Sequence, residues 1–362
     1  MNHAARRDKL RKLLKKEQLD ALLVTNFLNV TYLTGFTGDD SYLVLTATDA
    51  IIVSDMRYDQ QLGDECPDCE LVIRGPGTKI LDFVVKTVEK VRARRLEIEG
   101  DSMSVSLRDS VAEALPKATL VPTSGWVEEL RAIKDKDEID RTRKACEQAR
   151  RAFEVVRAGM TPETTENQIA ADLEYQVRRF GAKGLSFTPI VGVGERGALP
   201  HGKPTDKRVG EADFILIDWG ANEGLYMSDL TRVLATGKIS PKLRKLYDVV
   251  LAAQLAGIAA IRPGATCEAV DAAARGVIEK AGYGKHFGHG LGHGTGLEIH
   301  EAPRLARGQK TELKPGMIVT VEPGIYFPEW GGIRIEDDIL VTRDGHEILT
   351  SVPKELDQCV VG

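Results

Sequence analysis

The sequence predicts a two-domain chain of α/β and α+β class: an α/β unit, then a unit built around paired strands that carry acids. Three observations point there. The 362 residues amount to about two domains of ordinary size. Up to about residue 125, short apolar runs alternate with helical stretches. Beyond it, the runs FILIDWG (214–220) and MIVTVEPG (317–324) each place a carboxylate near the end of an apolar strand.

Composition bounds the function. Lys plus Arg is 49 and Asp plus Glu is 54, a formal charge of −5, which argues against nucleic acid as a main partner because phosphate binding needs a basic surface. Apolar residues at 42% and charged residues at 28% are those of a folded globular chain, so disorder and collagen-like repeats are excluded. No window approaches 18 uninterrupted apolar residues, so no membrane partner is expected. The N-terminus has bases but no apolar core and no cleavage site, so no secretory signal is read and a cytoplasmic location is expected.

In chain order, Leu10, Leu13, Leu14 and Leu19 predict an amphipathic first helix. The runs ALLVT (21–25), YLVLT (42–46), AIIVS (50–54), LVIR (71–74), RLEIE (95–99) and ATLVPT (118–123) predict strands, with a helix over 79–92. Asp55, Arg57 and Tyr58 read as a turn with a salt bridge. Cys66 and Cys69 form one CxxC with no second ligand pair, so they read as two loop thiols rather than a zinc or redox site. A domain boundary falls near 128, giving domains 1–128 and 129–362. A helix over 136–157 is stopped by Gly159, and Thr161 followed by Pro162 predicts the N-cap of a helix running to Phe180.

GVGERG (192–197) matches a dinucleotide fingerprint and GALPHGK (197–203) most of a P-loop. No helix pattern follows the first, and Pro204 stands where the second needs Ser or Thr, so both nucleotide readings are rejected. The same prolines make a stiff loop that presents His201.

Two strand–loop–strand units carry paired acids: Asp218 and Asp229 in one, Glu322 and Glu336 in the other. By strand alternation Asp218 shares a face with Phe214 and Leu216, and Glu322 with Ile318 and Thr320, so both acids point toward an interior. A lone buried carboxylate is costly, and four together repel. For any one of them, solvation or pairing with Arg232 or Arg334 is an adequate account; two units built alike favour bound divalent cations. Histidine supports this: of seven in the chain, His289, His293 and His300 lie within GHGLGHGTGLEIHEAP (288–303), where interleaved glycines let backbone approach ligands. HExxH is absent, which excludes a helix-based zinc peptidase.

These residues resemble the pita-bread metallopeptidases: aminopeptidase P, prolidase and, more distantly, methionine aminopeptidase and creatinase. LIDWGANEGLYMSDLTR (216–232), HGLGHGTGLEIHE (289–301), VTVEPGIY (319–326) and GIRIEDDI (332–339) carry the resemblance. VTNFLNVTYLTGFTG (24–38), IIVSDMRY (51–58) and LRAIKDKDEID (130–140) extend it over nearly the whole chain. It implies a creatinase-like N-terminal domain before a pita-bread catalytic domain. The metal ligands would be Asp218, Asp229, His293, Glu322 and Glu336, with Asp229 and Glu336 bridging two ions. The cofactors would be two divalent metal ions, manganese first, with cobalt, zinc or iron as alternatives. It implies His201, His289 and His300 as non-ligand histidines around the substrate, and Arg334 beside the site. His201, His300 and Arg334 would contact substrate, and Glu322 would be general base to a metal-bridging hydroxide. The implied activity is hydrolysis of an Xaa-Pro bond in peptides or dipeptides, by a chain that forms a homodimer. A metal-independent creatinase-like amidinohydrolase or a non-catalytic peptide-binding module on the same fold would be expected to lack several of these acids, and all are present.

Overall fold

The computed structural model describes residues 1–361, which divide into two compact units, Met1–Arg131 and the residues from Ala132 onward. In the first, all six predicted runs become strands of one mixed sheet. Its order is Glu70–Arg74, Ala50–Asp55, Ser41–Thr46, Ala21–Val24, Arg95–Glu99, Thr119–Thr123. The three middle strands from Ala50–Asp55 to Ala21–Val24 pair antiparallel and the outer ones join in parallel. One face is the core of Leu23, Val44, Ile51, Val53, Leu96 and Ile98 under the Ile80–Lys90 helix, whose Val84 and Val88 are buried. In the His3–Lys16 helix Leu10 and Leu14 are buried, while Leu13 is only partly so. The unit extends past 128 because the Trp126–Arg131 helix buries Val127 and Arg131, and Arg131 Nη1 donates to Asn29 Oδ1 at 2.9 Å.

Asp55 caps a short turn and pairs with Arg57 and Arg74. Cys66 ends the Asp59–Glu65 helix, and burial pushes its thiol up to about 12 and that of Cys69 to about 11. Neither forms a reactive thiolate near neutral pH.

The second unit packs two helix pairs against sheets. Lys136–Gly159 starts with a capping box of Asp135 and Glu138. The next helix corrects an expectation. It begins at Glu166, not after Thr161, because Thr165 and Gln168 form the capping box while Thr161 to Thr164 close a tight turn. This pair buries Phe153, Ile169 and Leu173 against Ile215, Ile217 and Trp219. Trp219 stacks on Phe153 at 4.2 Å and donates Nε1–H to the Ala149 carbonyl at 3.0 Å. The Pro241–Ala260 and Cys267–Lys280 helices cover the other core, where Leu216, Val233, Val319, Val321 and Ile339 converge.

Three strands run in the order Leu230–Ala235, Phe214–Trp219, Ile190–Val193. Five more run Glu301–Leu305, Gly292–Gly294, Ile318–Val321, Asp337–Val341, His346–Ile348. The GVGERG stretch ends the Ile190–Val193 strand and enters a short 3₁₀ turn, Gly194–Ala198, with no α-helix opening on it. Among the described residues no helix is long and apolar enough to cross a membrane.

Candidate metal centre

Strand register brings the acids together. Asp218 lies opposite Thr231 on the paired strands, and Asp229 stands one residue before the Leu230–Ala235 strand. In the other hairpin Val321 pairs with Asp337, so Glu322 and Glu336 flank the last rung on either arm. Glu322 follows Thr320 on one face, and the Thr320 hydroxyl donates to its Oε1 at 3.2 Å. His293 sits in the Gly292–Gly294 strand. The interleaved glycines serve packing between strands here. A Cβ on Gly292 would meet the Thr320 carbonyl oxygen at 2.0 Å and one on Gly294 the Ala302 carbonyl oxygen at 2.2 Å.

Asp218, Asp229, His293, Glu322 and Glu336 all line one cavity of about 950 Å³, together with His201, His289, His300, Tyr326 and Arg334. One ligand atom each from Asp229, His293 and Glu336 lies within 4.8 Å of the others. His293 Nδ1 donates to the Gly294 carbonyl at 3.0 Å, and burial lowers the ring to about 4. The ring is therefore neutral at pH 7, with its Nε2 lone pair directed at Glu322 Oε1 (3.3 Å) and Asp229 Oδ2 (3.7 Å). A ring lone pair meeting two carboxyl oxygens in so enclosed a space calls for a proton or a cation between them.

Electrostatics agree. Burial pushes the carboxyls of Asp229 and Glu336 well above their ordinary range, and neighbouring acids push them further. Burial raises Glu322 to about 8. Asp218 is raised by burial and only partly relieved by Arg334, whose Nη2 donates to its Oδ2 at 2.6 Å; its buried Oδ1 has no partner. Arg232 gives no help. It is spent on Asp337 and on the carbonyls of Thr231, Glu336, Val352 and Pro353. The salt-bridge account of the acids therefore holds for Asp218 alone. A set of carboxylates and one imidazole, with an orphaned buried oxygen and no thiolate, fits hard to borderline divalent ions.

Three residues without an assigned role in the sequence support the site. Thr231 Oγ donates to Glu336 Oε2 at 2.5 Å and accepts from Arg334 Nε at 3.0 Å. Asp338 accepts the Asp229 amide at 2.8 Å. Tyr326 accepts from Arg334 Nη1 at 2.9 Å and lies 3.0 Å from His289 Nε2. Alternation from Asp229 could have pointed to Thr231; nothing local marks Asp338 or Tyr326. His289 is lowered to about 4 by burial and donates Nδ1–H to the Gly290 carbonyl at 2.7 Å, so Tyr326 O–H donates to its Nε2. His201 is exposed on its loop, and His300 stands edge-on to His293 with ring centres 4.4 Å apart.

Residues 140–343 match Metallopeptidase family M24, and residues 6–133 match the Creatinase/Prolidase N-terminal domain. A Xaa-Pro dipeptidase of Pyrococcus furiosus is 36% identical over 352 residues, 97% of this chain and 99% of that one. The solved structure of a Xaa-Pro dipeptidase from Bacillus anthracis superposes with TM-score 0.95 at 40% identity, covering 99% of this chain and 100% of the other. That of an X-Pro aminopeptidase from Thermotoga maritima gives 0.89 at 36%, covering 95% and 98%.

Proposed function

Since the chain belongs to metallopeptidase family M24, with a creatinase-type N-terminal domain and a pita-bread catalytic domain, we propose that it hydrolyses the bond between an amino-terminal residue and proline, with Xaa-Pro dipeptides as its substrate class. The observation that carries this is the convergence of four carboxylates, three buried and that of Glu322 mostly so, and a neutral imidazole nitrogen on one cavity. Similarity to proteins named Xaa-Pro dipeptidase supports the substrate class.

Asp218, Asp229, His293, Glu322 and Glu336 would hold two divalent ions, manganese first among manganese, cobalt, zinc and iron, with Asp229 and Glu336 shared between them. Bound there, the ions would lower the pKa of a shared water and polarise the scissile carbonyl. Glu322 takes the attacking water's proton and passes it to the proline nitrogen, which as a tertiary amide has no hydrogen of its own. His201 and His300 hold the carbonyl oxygen as it gains charge. Arg334 and Tyr326 keep Asp218 and His289 in place from behind. Exposed Arg304 and Lys203 line the same cavity and offer a cationic seat for the free carboxylate of a dipeptide.

The test is hydrolysis of Ala-Pro, read as free proline, and of a Xaa-Pro-Xaa tripeptide, read as the free first residue with a Pro-Xaa dipeptide. The expected result is cleavage of Ala-Pro that a chelator stops and added Mn²⁺ restores; hydrolysis that persists after chelation overturns the reading. Cleavage of the tripeptide would move the assignment to aminopeptidase. His201→Ala should slow Ala-Pro hydrolysis roughly 10²–10³-fold, the scale for losing one oxyanion contact, while metal content stays at the parent level. Loss of bound metal in that variant would show that His201 does something else.

A further inference from the structure

We infer that Asp271 and Arg275 are positioning residues for His289, holding it from a helix outside the cavity. The two stand four apart on the Cys267–Lys280 helix, the acid N-terminal to the base, and both are buried. Arg275 grips Asp271 with a two-pronged fork, Nε to Oδ2 and Nη2 to Oδ1, each 2.7 Å. The remaining bonding capacity goes to the segment that bears His289. Arg275 Nη1 donates to the Phe287 carbonyl at 3.1 Å and Nη2 to the His289 carbonyl at 2.7 Å, while the Leu291 amide donates to Asp271 Oδ1 at 3.1 Å. The guanidinium lies 4.1 Å over the Phe287 ring, which meets the His289 ring edge-on at 5.1 Å.

The chain needs such a tie at this point. Gly288 and Gly290 flank His289, and glycines impose little conformational preference of their own. A buried ion pair that bonded only to itself would do little more for stability than an apolar pair of equal volume. This one fixes three backbone groups within five residues. From His289 the contacts continue to Tyr326, Arg334 and Asp218. The pair therefore sets the wall of the site on which the Asp218 carboxylate rests. The kinetic consequence rests on the hydrolysis proposed above; the geometric one does not.

The experiment is a double-mutant cycle between Arg275→Lys and His289→Ala, with Arg275→Ala alongside. With full metal content, Arg275→Lys should lower kcat/KM on Ala-Pro roughly 10-fold and Arg275→Ala roughly 100-fold, as for a displaced positioning group. In the His289→Ala background Arg275→Lys should cost less than about 2-fold, because the residue it positions is gone. Equal losses in both backgrounds would overturn the inference. A second readout needs neither metal nor turnover: in chelated protein the imidazole resonances of His289 should move in Arg275→Lys, while those of His346, bonded to the Ile261 carbonyl, should not. An unmoved His289 signal would likewise overturn it. If Arg275→Ala fails to fold, Arg275→Lys decides by the same two readouts. If the parent hydrolyses no Xaa-Pro peptide, the proposed function fails while the resonance test of the pair still stands.

Discussion

Glu336→Ala should lower turnover by at least about 10³-fold and leave the protein unable to retain its full metal content, with Asp229→Ala behaving alike, because on the function proposed above each removes a carboxylate that two ions would share. The variant can be told from a misfolded one by its stability without metal. In the metal-free protein Glu336 is buried among like charges, and burial followed by repulsion from Glu322 and Asp218 raises its carboxyl well above the usual range. Removing it relieves that repulsion, although the Thr231 hydroxyl loses an acceptor. The melting midpoint of Glu336→Ala in chelator should therefore be no lower than that of the chelated parent, while added Mn²⁺ should raise the parent's midpoint and scarcely move the variant's. Metal analysis, Ala-Pro turnover and two melting curves check this. Full metal retention or near-parental turnover would contradict the ligand role.

The second large effect is a reversal of pH dependence on metal loading. In the chelated protein Glu322 has its folded value raised from 4.5 to about 8 and Asp338 from 3.8 to about 7, both chiefly by burial, and Asp229 and Glu336 are likewise held well above their ordinary range. An acid with a raised folded value keeps its proton in the native state after the unfolded chain has lost it. Each such group thus removes stability as pH rises, by roughly 1 kcal/mol per pH unit, until its folded value is passed. Two partly buried histidines oppose this at lower pH: His289 and His293, lowered by burial to about 4, cost stability below 6.5, where the unfolded ring takes up a proton. Above 6.5 that opposition ends. The chelated protein should lose stability between pH 6.5 and 8. With metal the sign turns, because ions compete with protons for the same oxygens and bind more tightly as pH rises, and mass action converts this into stability. The loaded enzyme should gain stability over the same window, and should lose metal and activity below about pH 5–6. Melting curves at half-unit pH steps, with chelator and with Mn²⁺, decide it; parallel slopes would mean that the buried carboxylates are not the metal's seat.

How much of this was legible beforehand differs from element to element. The six strands of the first unit stood out because short β-branched runs flanked by polar turns have few other uses. The helix start near Thr161 was misplaced because Thr161 and Thr165 are equally good caps in isolation; Gln168 reaching back to the Thr165 amide selects the second. Alternation on the strands correctly turned Asp218 and Glu322 toward the interior. In EDD (336–338), however, three adjacent acids look alike locally and do three different things. Glu336 faces the cavity. Asp338 holds the Asp229 amide. Asp337, against the push of burial, is kept below the ordinary range by Arg232 and Lys354, with Thr350 and Gln254 also donating to it.

What the amino-acid order settled by itself was the set of groups available and the faces they take: acids at the ends of apolar strands, histidines between glycines, two hairpins of like design. These are properties of neighbours within a few bonds, where alternation and capping operate. Tertiary contact decided which acid meets which partner. It gave Arg334 to Asp218 and Arg232 to Asp337, left one Asp218 oxygen without a partner, and tied His289 to Arg275, 14 residues earlier on its helix. Such choices follow from burial and charge at distances of a few ångströms between segments up to 116 residues apart. Electrostatic cost in a dry interior depends on that spatial distance and not on separation along the chain.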